Sequence, residues 1–434
     1  MLRFPDCQKL GLALLGAAVP VFLPAALQID GGTPAANFRF ENDPGFIAGE
    51  QLTGVGRSID KVEGTWGTLI SPNIVLSANH WHPNVGHSLT FHATNDPAGP
   101  SLTRQVIAEE RIGDSDLWVG VLNQSLPPDF RVYPMVSQPL SSQATFAALA
   151  IYGQQAIMLG RAEDITSLVT NLAAGYNRVD YWFDSLPGDP AADPAIAAIQ
   201  HLPGDDDFVQ YEAYAVIYDS GTPLLMELNG ILTLVGITWF NDVQVDIDSR
   251  PGQEELRNVT GFSYVGNYAS GLAGIIDAFS IDATPGYVTW MEAAFSAGAG
   301  LAVTGPAIDS DRDGRINFVE YAYNLDPLDP GSLVPMSTSV IDAGSGSHLQ
   351  LAGQLRDDPA LRYFVLSGND LSGWNRVDLA FADGAWSSAD PARLVVDQAT
   401  ALGGGLWSLV LRDPAPLQPG SPRFLLPGAE PLPY

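Results

Sequence analysis

The chain has 434 residues, with 49 acidic and 20 basic side chains and a formal net charge of −29 at pH 7. A negative field of this size repels nucleic acid and anionic membrane surfaces, so neither is expected as a partner. A chain this long usually divides into two or three domains, and its 46% hydrophobic against 16% charged residues excludes a disordered chain.

The first 27 residues have the pattern of a secretory signal peptide. Arg3 and Lys9 precede an apolar run, residues 10–27, which two prolines shorten below the ~20 residues that a membrane span needs. The alternative is a retained anchor. The only cysteine, Cys7, lies in this segment, so no disulfide is expected in the mature chain. The pattern predicts a secreted protein, extracellular or periplasmic, with no membrane span after cleavage.

Three motifs, far apart in the chain, each carry a side chain with catalytic chemistry. His80 ends a β-branched, apolar run that begins at Gly67, and Asp116 opens a second apolar run. Ser220 lies in the turn-like sequence Tyr-Asp-Ser-Gly-Thr-Pro. A serine hydroxyl becomes an effective nucleophile when a base takes its proton and a third group orients that base. The chain therefore offers one candidate for each of the three roles.

In order and in flanking sequence these motifs resemble those of the chymotrypsin/trypsin family of serine peptidases. The family's motifs read close to G-T-L-I-S-P-x-x-V-L-S-A-A-H, D-I-A-L-L and G-D-S-G-G-P. The resemblance covers residues 31–280. It implies an all-β domain of two six-stranded antiparallel β-barrels, closed by a helix at Ala269–Phe279.

The same resemblance assigns roles to the residues. It implies that His80 is the general base, that Asp116 orients it, and that Ser220 attacks the peptide bond of a protein or peptide substrate. Backbone N–H groups of Tyr218 and Ser220 would form the oxyanion hole. The implied activity is that of a serine endopeptidase that works through an acyl-enzyme and needs no cofactor for catalysis.

The substrate pocket implied by the resemblance is lined by Tyr214, Thr238, Trp239 and Phe240. Tyr214 takes the position that sets charge preference and brings no carboxylate, so a small or apolar substrate residue is expected. Phe240 and Tyr218 both stand where the family has glycine.

Family members often pair the aspartate before the serine, here Asp219, with a freed amino terminus. The chain shows no Ile-Val-Gly-Gly start that would supply one. A buried unpaired carboxylate costs several kcal/mol, so Asp219 is expected to have another hydrogen-bond or cationic partner.

Simpler interpretations remain open for each candidate residue. His80, His82 and His87 could together hold zinc, Asp114 could replace Asp116, and Ser220 could be an ordinary turn residue. For the whole chain, the alternative is a secreted protein that keeps the peptidase fold without turnover and serves binding or adhesion. The two departures from glycine favour that alternative.

The remaining sequence up to residue 280 favours β-structure. Turn-forming residues are frequent, with 44 Gly and 33 Pro, and long helical periodicity is scarce. The acidic, proline-rich stretch Pro187–Asp207 is predicted to be a surface loop. Four runs after residue 131 are predicted to be strands: Phe146–Tyr152, Ala213–Tyr218, Leu224–Leu228 and Ile231–Thr238.

A second chemical motif follows a predicted helix at Tyr287–Phe295. Residues 309–320 match a twelve-residue calcium loop, with carboxylates at its first, third, fifth and last positions and Gly314 at the sharp turn. The alternative is an acidic turn without metal. The segment 285–330 resembles the single calcium loops of dockerin-type and thrombospondin-type-3-like linkers, which implies structural Ca²⁺. The predicted ligands are Asp309, Asp311, Asp313, the Arg315 carbonyl, Asn317 and Glu320.

Residues 335–434 are predicted to form a small β-sandwich. Short apolar runs alternate with turns, and three tryptophans lie among them. Appended modules of this kind more often bind a surface, a glycan or a secretion component than catalyse a reaction.

Overall fold

The computed structural model of the chain describes residues 26–41, 47, 51–162, 170–183, 194–245, 256–333, 336–344, 346–370, 373–420 and 422–431. All but the last two positions of the predicted signal peptide lie outside these residues. Within the described ranges, no helix has both the length and the apolar character to span a membrane. The fold is nearly all β, which confirms the predicted class. The chain divides into two compact units, and the boundary in the sequence falls between Ile276 and Asp277.

The first unit begins with β1 (Gln28–Ile29) and α1 (Pro34–Asn37) and continues into a closed antiparallel barrel. The barrel order is β2-β3-β4-β7-β6-β5, and β5 returns to β2, where Thr90 lies opposite Arg57. Every residue of β3, β4 and β7 is buried, as their continuous apolar runs predict. The barrel strands are β2 (Val55–Ser58), β3 (Thr65–Ser71), β4 (Ile74–Ala78), β5 (Ser88–His92), β6 (Ser101–Arg111) and β7 (Leu117–Leu122).

The rest of the first unit is built on a curled seven-stranded half-barrel. Its elements are α2 (Gln143–Ala147), β8 (Gln155–Gly160), β9 (Ala173–Arg178), β10 (Tyr181–Phe183), β11 (Ala195–Ile199), β12 (Ala213–Tyr214), β13 (Pro223–Leu228), β14 (Ile231–Val245), β15 (Leu256–Tyr264), a 3₁₀ turn (Val265–Asn267) and α3 (Ala269–Ala278). The last two residues of α3 belong to the second unit. β12 pairs with β1 outside this sheet.

The curl of this sheet follows from its connections. The strand order is β10-β11-β15-β14-β13-β8-β9, so β9 and β10 lie at opposite edges although Arg178 and Tyr181 are three positions apart. Three residues reach about 10 Å at most, so the sheet must bend until its two edges approach. The sequence resemblance predicts a second closed barrel of six strands. The structure instead has seven strands in this sheet, which forms a half-barrel.

Three local predictions in this region are wrong. Phe146–Tyr152 is not a strand, because Ser142 and Thr145 form a capping box that begins α2. The predicted loop Pro187–Asp207 contains the strand β11, although its residues 187–193 lie outside the described ranges. The predicted strand at 213–218 ends at Tyr214, because the Val216 N–H donates to a carboxylate instead of a neighbouring strand.

Within its described residues, the second unit contains three short helices and two antiparallel sheets of four strands each. The sheet orders are β16-β17-β22-β21 and β20-β19-β18-β23. The helices are α4 (Pro285–Ala294), α5 (Leu301–Thr304) and α6 (Asn317–Tyr323). The strands are β16 (Ser337–Asp342), β17 (Ser347–Arg356), β18 (Leu361–Gly368), β19 (Trp374–Ala382), β20 (Ala385–Ser388), β21 (Val395–Gly403), β22 (Leu406–Arg412) and β23 (Phe424–Pro431).

Candidate active site

The pairing of β4 with β7 brings the histidine and aspartate motifs together. Ala78 at the end of β4 lies opposite Leu117 at the start of β7. Asn79 and His80, which follow Ala78, therefore lie beside Asp116, which precedes Leu117. The Asn79 N–H donates to the Asp116 carbonyl at 2.8 Å, and the His80 N–H donates to Asp116 Oδ1 at 2.9 Å.

A continuous row of hydrogen bonds links the three side chains. The Asp116 carboxylate, 8% exposed, lies 2.7 Å from Nδ1 of His80 through its second oxygen. Nε2 of His80 lies 2.9 Å from Oγ of Ser220, and the histidine side chain is 45% exposed. A buried acceptor on Nδ1 favours the tautomer with the proton on that nitrogen, which leaves Nε2 free to accept from the serine hydroxyl.

The simpler interpretations of these residues do not match their surroundings. Asp114 is exposed, and its carbonyl accepts from Arg111. Nδ1 of His82 bonds to the Pro83 carbonyl at 2.8 Å, and the ring stacks on Trp118. Among the described residues, the histidines do not form a group close enough to share a metal ion.

In the turn that carries Ser220, the backbone has positive φ angles both before and after the serine. Tyr218 has φ 74° and Gly221 has φ 88°. A Cβ on Gly221 would also lie 2.5 Å from Oγ of Ser77, so only glycine fits there. Within the described ranges, the N–H groups of Tyr218 and Ser220 have no intramolecular acceptor. They are therefore available to a ligand, as an oxyanion hole requires.

Tyr218 adopts the left-handed conformation that glycine would adopt freely. Such a conformation costs a non-glycine residue about 1–2 kcal/mol. Two contacts hold the side chain: the Arg161 guanidinium lies 5.1 Å from the ring centroid, and the Trp81 ring lies 5.6 Å away. Packing against these groups offsets the backbone cost.

Asp219 is fully buried and has the partners that the sequence predicted it would need. Its carboxylate accepts from the backbone N–H of Arg161 at 2.8 Å and of Val216 at 2.9 Å. Burial raises the pKa of Asp219 to about 6, although these N–H groups and the guanidinium groups of Arg161 and Arg57 act to lower it. These N–H and guanidinium groups all belong to described residues of the first unit, so they support the turn from within the chain.

Arg161 supports this site, although the sequence motifs do not mark it. It is 1% exposed, and its guanidinium binds the Glu63 carboxylate and donates to the Ile217 carbonyl at 3.1 Å. The guanidinium Nε also lies 4.0 Å from Asp219. Arg161 thus contacts both residues that precede Ser220 as well as a loop of the closed barrel.

The four predicted pocket residues fall into two groups. Thr238 lies on β14 beside the serine turn, where its backbone N–H donates to the Thr222 carbonyl at 2.8 Å. Trp239 and Phe240 follow it on the same strand and are half-buried. Tyr214 lies on β12, opposite Gln28 of β1.

The predicted calcium loop places its carboxylates together in the second unit. Ligand atoms of Asp309, Asp311 and Asp313 all lie within 4.8 Å of one another, a group that could hold a metal ion. Glu320, in the first turn of α6, is fully buried, and neither carboxylate oxygen has a hydrogen-bond partner among the described residues. Burial, together with the neighbouring carboxylates, raises the pKa of Glu320 to about 8. These residues fit a hard cation.

Two further predicted ligands lie near the start of α6: Arg315 precedes the helix by two positions, and Asn317 is its first residue. Asn317 is buried and donates through Nδ2 to the Gly305 carbonyl at 3.0 Å. The Arg315 side chain binds the Asp313 carboxylate, which leaves its predicted role to the backbone carbonyl.

Comparison with models of known protein families gives no match, and comparison with curated proteins likewise finds no similar sequence. The closed barrel and the half-barrel are consistent with a chymotrypsin-like double-barrel fold.

Proposed function

We propose that the chain is a secreted serine endopeptidase. The observation that carries this proposal is the row from Asp116 through His80 to Ser220, with separations of 2.7 and 2.9 Å. The secreted location is supported by the signal-peptide pattern of the first 27 residues.

The reaction would proceed in two steps. Oγ of Ser220 attacks the acyl carbon while Nε2 of His80 takes its proton, and Asp116 stabilises the resulting imidazolium. The N–H groups of Tyr218 and Ser220 donate to the oxygen that gains charge. His80 then protonates the leaving amine, and water hydrolyses the acyl-enzyme by the same route.

A fluorophosphonate probe tests the nucleophile directly. The probe is expected to label the purified chain once, at Ser220, and Ser220→Ala is expected to abolish labelling. The matched control is Ser141→Ala, which removes an exposed serine of the same unit. An unlabelled parent chain would favour the alternative of a peptidase fold that binds without turnover.

We further propose that residues 309–320 bind structural Ca²⁺. The donors would be the Asp309, Asp311, Asp313 and Glu320 carboxylates, with the Arg315 carbonyl and Asn317, an all-oxygen set that suits this ion. When bound, the cation would compensate four neighbouring carboxylates. Helix α6 also contacts the β-sandwich: Tyr321 donates to Asp358 at 2.6 Å, and Tyr363 donates to the Ala322 carbonyl at 2.9 Å. Calcium is therefore expected to stabilise the sandwich as well as the loop.

Calcium is expected to raise the unfolding temperature of the second unit. A ligand at 100 times its Kd stabilises by about 2.7 kcal/mol, roughly 5–10 °C for a unit of this size. Glu320→Gln should lose most of this shift, as measured by scanning calorimetry with calcium and with chelator. Glu292→Gln, an exposed change on α4, should keep it. Equal shifts in both variants would contradict the site.

A further inference from the structure

β14 forms a wall directly beside the proposed nucleophile. The Gly221 N–H donates to the Thr238 carbonyl at 2.9 Å, and the Thr222 and Thr238 hydroxyls lie 2.8 Å apart. A strand advances about 3.3 Å per residue, so Phe240, two positions further, lies within about 10 Å of this contact. Its side chain can therefore meet a substrate group next to the bond that Ser220 attacks.

A bulge in the sheet changes the direction of this wall. Thr238 lies opposite Phe262 of β15, whereas Phe240 lies opposite Gly261, so two residues of β14 face one of β15. A bulge of this kind bends the strand and redirects the side chains next to it.

The ring of Phe240 lies on the backbone of Gly261. A Cβ added to Gly261 would collide with three carbons of that ring. The ring is also held at its sides, because its centroid lies 6.2 Å from that of Phe183 and 5.6 Å from that of Trp239, both edge to face. Gly261 itself is buried. The phenyl ring thus fills the space beside Gly261 that would be open if residue 240 were also a glycine.

We infer that Phe240 restricts the proposed peptidase to substrates with a small side chain, glycine, alanine or serine, on the acyl side of the cleaved bond; this inference rests on the proposed function. A large side chain in that position would overlap the ring. The ring cannot move toward β15, because the Gly261 backbone is already in contact with it. Aromatic neighbours oppose movement along the strand.

Peptidyl phosphonate probes that carry alanine or phenylalanine at the acyl-side position test this inference. The parent chain is expected to react at least about tenfold faster with the alanine probe, a typical penalty for an oversized group in a fixed pocket. In Phe240→Ala the ratio of the two rates is expected to fall at least about tenfold, through a gain with the phenylalanine probe. Phe240→Leu, which retains an apolar side chain, should lie between the two.

The fluorophosphonate probe carries no side chain whose size the pocket could select. It therefore distinguishes a failure of the proposed function from a failure of the inference alone. If it leaves the parent unlabelled, the proposed function fails, and the inference fails with it. If it labels the parent at Ser220 but the alanine-to-phenylalanine ratio is the same in the parent and both variants, the inference alone fails.

A double-mutant cycle checks the packing without any activity. Gly261→Ala is expected to lower the urea midpoint of the parent, because the new methyl group collides with the ring of Phe240. In the Phe240→Ala background, the same change should have a much smaller effect, since the ring is gone. An equal shift in both backgrounds would overturn the inference, because the ring would then not lie on Gly261.

Discussion

Replacing Asp116 by asparagine is expected to lower the turnover of the proposed peptidase about 10⁴-fold, the loss that this change causes in a Ser-His-Asp peptidase, while the fold persists. The carboxylate accepts two hydrogen bonds, from the backbone N–H of His80 at 2.9 Å and from the ring at 2.7 Å. An amide has one acceptor oxygen and one NH₂ group. With the oxygen on the backbone N–H, the NH₂ group faces Nδ1 and favours the tautomer with the proton on Nε2. That nitrogen can then no longer accept the proton of Ser220.

Hydrolysis of fluorescein-labelled casein and the rate of fluorophosphonate labelling measure this effect. The matched control is Asp114→Asn, an exposed aspartate two positions away, which should keep the rates of the parent chain. A loss of less than tenfold in Asp116→Asn, or an equal loss in the control, would contradict the proposed role of the carboxylate.

The site residues predicted from the sequence are those whose positions follow from continuous buried strands. His80 follows the end of β4 and Asp116 precedes β7, so the pairing of two adjacent strands is enough to bring them together. Local sequence also marks the turn at Ser220. Periodicity and turn residues carry this information, because each feature depends on near neighbours in the chain.

The contacts that support the turn could not be predicted in the same way. Arg161 reaches Glu63, 98 positions away, and its backbone N–H binds Asp219, 58 positions away. No local pattern distinguishes this arginine from an exposed one. The contact of Phe240 with Gly261 likewise depends on a bulge between two strands, which the sequence does not mark.

Errors in local structure have a similar origin. The acidic, proline-rich composition of Pro187–Asp207 predicts a loop, yet this stretch contains β11. Three of the five residues of β11 are alanine, which has low β-propensity, and all five are buried in the sheet. Tertiary burial determined the conformation there, against the local preference. At Ser142 the opposite occurred, since a local capping box begins α2 before the predicted strand, and the helix continues into the first two residues of that strand.

Replacing Arg161 by methionine is expected to destabilise the first unit by about 3–5 kcal/mol at pH 8, because it removes one partner of a buried charge. Asp219 would keep its two backbone N–H donors but lose the nearby guanidinium. Tyr218 would lose the cation over its ring. With less support for the left-handed backbone of Tyr218, its N–H is expected to leave the proposed oxyanion hole, and the proposed peptidase activity should fall at least about 100-fold.

The loss of stability should depend on pH, and the pH range over which it changes identifies Asp219 as the cause. In the parent chain, burial raises the pKa of this carboxyl to about 6, so its ionised form is disfavoured in the fold. Removing Arg161 raises that pKa further, so the difference in stability between variant and parent grows as pH rises above 6 and shrinks below it. At pH 5, where the carboxyl is protonated in both chains, the difference should be roughly half that at pH 8 or less.

Urea unfolding at pH 5 and pH 8, together with fluorophosphonate labelling, measures these effects. The matched control is Arg178→Met, because the Arg178 guanidinium donates to the Asp207 and Gly153 carbonyls. It should show no such pH dependence. Arg161→Lys keeps the charge and should recover part of both stability and labelling. A merely structural role for Arg161 would give the same loss of stability at both pH values, and that result would rule out the proposed support of Asp219.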